Sequence, residues 1–168
     1  MIRCGCANPV SVSGREEIEH GTALFPIACY QDDLTEIAVP WHWHEELEVA
    51  IVTGGTVLFA TDRERLELRE GEGCVVNAGV VHGGWNAGSD ECSLHSLVFH
   101  PRLIGGTAES VYWQKYLLPL MENRSFQIRK LFPDTDRDLI GNIKCAWQYC
   151  AEETDGFEIA VRNELSAL

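Results

Sequence analysis

The stretch Pro40-Trp41-His42-Trp43-His44-Glu45-Glu46-Leu47-Glu48 decides how the chain is read. On an extended segment side chains alternate between faces, so His42 and His44 place both imidazoles on one side. Glu48, four residues beyond His44, shares that side if the strand continues. A second segment, rich in Val and Gly, carries His82 and can close the set from a neighbouring strand. Three imidazole nitrogens and a carboxylate oxygen suit a divalent first-row metal such as Zn, Fe, Mn, Ni or Co. His42, His44, Glu48 and His82 are therefore the candidate metal ligands, expected to converge on one point.

The spacing around them is regular. H-x-H-x3-E, followed by Gly after a hydrophobic run, occurs at His42, His44, Glu48 and Gly55. G-x5-P-x-G-x2-H-x3-N occurs at Gly71, Gly79, His82 and Asn86, with Asn77 in place of the Pro. Together and in this order they resemble the two motifs of the cupin superfamily, which implies a jelly-roll barrel. The Asn-for-Pro departure is expected to loosen one turn without touching a ligand. Sensor members of the superfamily often bind small molecules without a metal, so a metal-free pocket lined by the same residues is the alternative.

Strand patterns extend outward from the motifs. Leu24–Gln31 reads as a first strand, with Pro26 suggesting an edge or bulge. Leu47–Thr53 is a continuous apolar run, as in a strand buried on both faces. Thr56–Thr61 and Arg65–Arg69 fit a hairpin, and Cys74–Asn77, Val80–Trp85 and Glu91–His100 complete about eight short strands. The fold class is mainly β, a double-sheet jelly roll (the cupin double-stranded β-helix) with α-helices after it.

Composition excludes several functions. Twenty-six acidic against 13 basic residues give a net charge of −13, and no Lys/Arg cluster offers a phosphate-binding surface. No apolar run reaches the roughly 18–20 residues of a membrane span, and the first residues lack a signal-peptide pattern. Seven Cys at irregular spacing read as free thiols in a reducing cytoplasm. Cys4-x-Cys6 has the wrong spacing for a thioredoxin-like or zinc-ribbon pair, leaving at most adventitious metal binding.

After Pro101 the pattern becomes helical. A helix is expected from Thr107 with Pro119 ending or kinking it, Ser125–Leu131 as an extended link, then helices from Asp134 and, beyond Gly156, from Phe157. A cupin barrel followed by two amphipathic helices resembles the amino-terminal half of AraC-type transcription regulators. Pro40–Glu48, Trp113-Gln114-Lys115-Tyr116 and the Glu158–Ser166 segment look like versions of that family's signatures. The resemblance implies an effector-sensing and dimerising domain, cytoplasmic, that reaches DNA only through a helix-turn-helix region. No such region occurs in residues 1–168, so the chain is expected to be part of a longer regulator. The expected division is an arm at 1–21, loosely ordered with His20 solvated, the barrel at 22–106 and a helical dimerisation segment at 107–168.

Two further sets of residues follow. Trp85, Glu46 and Asn86 are candidates to touch a small-molecule effector, a sugar or related metabolite. Trp41 and Trp43 have the opposite parity from the histidines and are expected to pack against the arm or a helix. Leu139, Ile143, Trp147 and Cys150 form an apolar stripe suited to a homodimer interface, or to the chain's own barrel or terminal helix. The alternative function is a stand-alone metal-dependent cupin enzyme of oxygenase or isomerase type, with the same four ligands.

Overall fold

A computed structural model describes residues 2–168. Among the described residues nine strands form two sheets. They are β1 (Ile27–Asp33), β2 (Val39–His42), β3 (Leu47–Gly54), β4 (Thr56–Thr61), β5 (Arg65–Arg69), β6 (Gly73–Val76), β7 (His82–Asn86), β8 (Ser93–Phe99) and β9 (Ile128–Leu131). One sheet has the order β1-β8-β3-β6-β9 and the other β2-β7-β4-β5. Every pairing between these strands is antiparallel. This is the expected two-sheet sandwich of cupin type.

Strand β3 shows why its run is apolar throughout. Ala50 and Val52 pack into the sandwich with Val57, Phe59, Leu68 and Leu94. Leu47, Val49 and Ile51 face the other way, into a second core with the carboxy-terminal helices. Both faces are buried, so both parities must be hydrophobic. Two motif glycines make turns. Gly55 has φ +72°, and a Cβ there would lie 2.0 Å from the Glu91 carbonyl oxygen; Gly79 also has φ +72°. Only Gly takes such φ values at no cost.

The helices are α1 (Arg102–Gly105), α2 (Leu118–Glu122), α3 (Arg137–Glu152) and α4 (Phe157–Leu165). A wide π-type turn, Trp113–Leu117, leads into α2 and puts Pro119 in its first turn. The helical run at 111–122 thus changes its hydrogen-bond pattern just before Pro119 and ends at Glu122, in keeping with a proline that kinks or ends a helix nearby. The link at Ser125–Leu131 becomes β9, which pairs with β6. The barrel thus draws a strand from beyond residue 106.

The apolar stripe of α3 is spent inside the chain. Ile143 is 2% exposed, Cys150 is buried, and Leu139 and Trp147 pack against the same core. The Trp147 indole N–H donates to the Tyr30 carbonyl of β1 (2.8 Å), while its ring stacks on His95 at 3.6 Å. This corrects the expectation that Leu139, Ile143, Trp147 and Cys150 form a dimer interface. They seal the outer face of the larger sheet.

The arm also departs from expectation. Arg3 bridges to Tyr30 and Arg15 to Trp43. The Glu16 N–H donates to the Trp43 carbonyl and the Trp43 N–H to the Gly14 carbonyl. The arm therefore contacts an edge strand of each sheet and closes that end of the sandwich.

Candidate metal centre

His42 ends β2 and lies opposite His82, the first residue of β7. The strand does not continue from His44 to Glu48, because a bend at Glu45-Glu46 carries the chain from the smaller sheet to the larger. Glu48 reaches the histidines because the two sheets face one interior. One ligand atom from each of His42, His44, Glu48 and His82 lies within 4.8 Å of the others, and all four residues are buried.

The second ring nitrogens fix the orientation. Each Nδ1 sits within hydrogen-bonding distance of a backbone carbonyl: His42 with Pro40 (2.8 Å), His44 with Glu46 (3.2 Å) and His82 with Val80 (2.8 Å). Carbonyls only accept, so each Nδ1 carries the proton and Nε2 is the nitrogen left for the site. A backbone carbonyl on the remote nitrogen is the usual outer support of a metal-ligating imidazole. Glu48 Oε2 approaches His82 Nε2 at 2.9 Å and His44 Nε2 at 3.4 Å.

The charges follow from that geometry. Burial works against the Glu48 carboxylate, yet its bonds to His44 and His82 hold it well below the usual carboxyl range. Burial also opposes a charged His82, but the Glu48 bond outweighs it and the net shift is upward. Burial, reinforced by the charge on His82, pushes His42 down to about 4. A neutral His42 offers its lone pair without first losing a proton.

The arm supplies a cluster that the sequence did not suggest. His20 is buried, with Nδ1 2.8 Å from the Tyr30 hydroxyl and Nε2 2.8 Å from Glu16 Oε2. Its ring centroid is 5.2 Å from that of His44. The solvated His20 expected from its polar surroundings is thus corrected. Glu16 stands four residues before it in the arm, but Tyr30 and His44 lie on other parts of the chain, so sequence alone did not show the burial. Next to the ligands is a cavity of about 20 Å³, lined by Glu16, His20, Tyr30, His42, Glu48 and Phe59 among others. That is space for an ion or a water, not a sugar ring.

The three residues expected to touch an effector lie outside this cavity. Trp85 points to the outer side of its sheet, its ring 5.7 Å from Trp41, because it has the opposite parity from His82. Asn86 is occupied in a turn: its side chain donates to the Thr35 and Ser89 carbonyls and accepts from the Gly88 and Ser89 N–H groups. Glu46 contributes its carbonyl to His44, while its carboxylate stays 3.9 Å from the same ring nitrogen. Trp43 packs on the arm, its indole N–H donating to Ser13.

Asn77 carries a second correction. It is 3% exposed. Its amide N–H groups donate to the Leu120 and Phe126 carbonyls (3.0 Å each), Oδ1 accepts from Ala78, and its backbone N–H donates to Gln127. Where a loosened turn was expected, Asn77 fastens the β6–β7 turn to α2 and to the segment that joins it to β9.

Similarity to known proteins agrees with this architecture. Residues 24–135 match the family described as AraC-like ligand binding domain. Over 159 residues the chain is 24% identical to an uncharacterized HTH-type transcriptional regulator, YdeC, of Bacillus subtilis (strain 168). The match takes in 92% of this chain and 54% of YdeC, so the chain spans about half the length of that curated relative. Among solved structures, an apo variant of ToxT from Vibrio cholerae aligns over 89% of this chain and 55% of its own, with TM-score 0.57 and 8% identity. Unsaturated fatty acid bound wild-type ToxT aligns over 89% and 54%, with TM-score 0.55 and 9% identity. Such low identity speaks for the fold alone. No helix among the described residues is long and apolar enough to cross a membrane. With the sandwich, the two helices that cover it and a family match over most of its length, the chain belongs to the AraC-like ligand-binding domain family.

Proposed function

We propose that this chain is the effector-sensing domain of a cytoplasmic AraC-type transcription regulator, and that a divalent first-row transition metal binds at its barrel centre. The observation that carries the metal is the set of three imidazoles, each anchored through Nδ1 to a backbone carbonyl, around buried Glu48. His42, His44, Glu48 and His82 would hold the ion. When bound, it would supply a charge that ties β2, the β2–β3 bend, β3 and β7 to one point. Such an ion acts as an effector only if two states of the regulator bind it with different affinity.

In this reading the protein acts as a homodimer, and DNA is contacted by a helix-turn-helix region of the whole protein, as the name of the relative YdeC suggests. The chain's own net charge of −13 argues against a direct DNA surface in it. The stand-alone enzyme has less support, because a cavity of about 20 Å³ leaves no room for an organic substrate beside the histidines.

The test is metal content after chelator treatment and reloading with Zn²⁺, Mn²⁺, Ni²⁺ or Co²⁺, on the wild type and on His42→Ala and His82→Ala. Each variant should bind one equivalent per chain less than the wild type, and a reporter driven by the whole regulator should lose its metal response in both. Unchanged metal content in folded variants would refute the site. Lost metal with an unchanged reporter response would instead place the sensing elsewhere.

A further inference from the structure

The arm brings a second group of metal-ligating side chains together, away from the barrel centre. Cys4 and Cys6 flank Gly5 at the short helical turn Gly5–Ala7, and β1 contributes Asp32. One ligand atom from each of Cys4, Cys6 and Asp32 lies within 4.8 Å of the other two. The spacing of the cysteines alone argues against a site. The third donor, 26 residues beyond Cys6, becomes visible only once the arm is folded.

Asp32 is held for the purpose. It is 2% exposed, and its Oδ1 accepts the N–H groups of Gly5 (2.6 Å) and Cys6 (3.1 Å). Those two bonds wrap the Cys-Gly-Cys loop around the carboxylate and bring both thiols to it. Gly5 leaves room for this approach, since a Cβ there would lie 3.2 Å from Asp32 Oδ2 and press on the carboxylate. Further up the arm, Arg3 exchanges backbone hydrogen bonds with Cys29 and Gln31 on β1, so the loop is anchored on its amino-terminal side too. Cys4 is exposed and Cys6 half-buried, which lets an ion enter without opening the sandwich.

We propose that Cys4, Cys6 and Asp32 form a surface site for a thiophilic divalent cation of the zinc class, distinct from the barrel centre. Two thiolates and one carboxylate suit a borderline-soft ion with tetrahedral preference, solvent taking the remaining position. Binding releases the two thiol protons to solvent. The ion then clips the arm to β1 at the same place where Asp32 already grips its backbone.

The whole chain, reduced and stripped of metal, is titrated with Co²⁺ in the absence of oxygen. The barrel donors include no thiolate, so thiolate-to-cobalt charge-transfer absorption does not come from the barrel centre, and its loss with Cys4 and Cys6 assigns it to the arm. It should appear in the wild type and saturate at one thiolate-bound ion per chain. It should be lost in the Cys4→Ser/Cys6→Ser variant. Asp32→Asn, which keeps an oxygen for the two N–H groups, should weaken Co²⁺ by about tenfold or more. Separately, Zn²⁺ should protect Cys4 of the wild type from alkylation while exposed Cys145 reacts as before. Absence of the band in the wild type, its survival in the double Ser variant, wild-type titration of Asp32→Asn, or equal alkylation of Cys4 with and without zinc would each overturn the site.

Discussion

Restoring the superfamily's proline at position 77 should damage this protein. Asn77→Pro removes the backbone N–H that bonds to Gln127 and the side-chain bonds to Leu120, Phe126 and Ala78. At about 1 kcal/mol net for each of the four bonds, the gross loss is about 4 kcal/mol. Proline returns roughly 0.4–1 kcal/mol by restricting the unfolded chain. The expected net destabilisation is therefore about 3 kcal/mol, a large fraction of a typical domain's stability. Urea unfolding followed by tryptophan fluorescence measures it as a lower midpoint at unchanged slope. The damage should begin at residues 120–127, so trypsin should cut after exposed Arg124 faster in the variant under native conditions. An Asn77→Pro protein within about 0.5 kcal/mol of the wild type, with unchanged cleavage at Arg124, would refute the claim that Asn77 fastens this turn.

Two other outcomes follow from burial. Ile143→Ala should cost about 2–5 kcal/mol by opening a cavity between α3 and the larger sheet, while sedimentation shows the wild-type association state; dissociation without loss of stability would return Ile143 to an interface between copies. In the metal-free protein, His42 stays neutral down to about pH 4 against an ordinary value of 6.5, so between these limits the folded chain binds fewer protons than the unfolded one. Its contribution is full above pH 6.5 and is lost as pH falls, by about 2 kcal/mol at pH 5 on the usual ~1.4 kcal/mol for each pH step. Urea unfolding of the wild type and of His42→Asn at pH 7 and pH 5, with chelator present, should show the steeper loss in the wild type, and equal losses would refute it.

The site was legible where the signal is local. Parity along a short segment paired His42 with His44, and a spaced motif added His82. Glu48 was named through a strand that does not exist. The chain bends at Glu45-Glu46 and changes sheets, and Glu48 arrives because both sheets line one interior. The stripe on α3 was visible as an apolar face, but periodicity does not say what covers a face, and here the chain's own sheet does. The arm was misjudged because its contacts are single long-range bonds, such as Gly5 to Asp32 and His20 to Tyr30, made by polar residues with no period. Trp85 shows the reverse error: proximity to His82 in sequence suggested the cavity, while strand alternation put the ring outside.

The strand order also governs when this protein can fold during synthesis. β8 lies between β1 and β3, and β7 between β2 and β4, so the two latest strands of the barrel proper insert between earlier ones. Until Phe99 has emerged from the ribosome, β1 and β3 lack their shared neighbour, with which Ile27 and Leu47 both pair at Phe99. The larger sheet must wait further still for β9 at Ile128–Leu131. A nascent chain of this design carries unpaired apolar edges for most of its length, which is the condition under which chaperone capture and aggregation compete with folding. The hairpin of β4 and β5, closed by local contacts, is open to it early, and β3 can pair with β6 around that hairpin. The four candidate metal donors meet only when β7 has entered its sheet, so an ion held by them would join an assembled barrel and have no part in starting one.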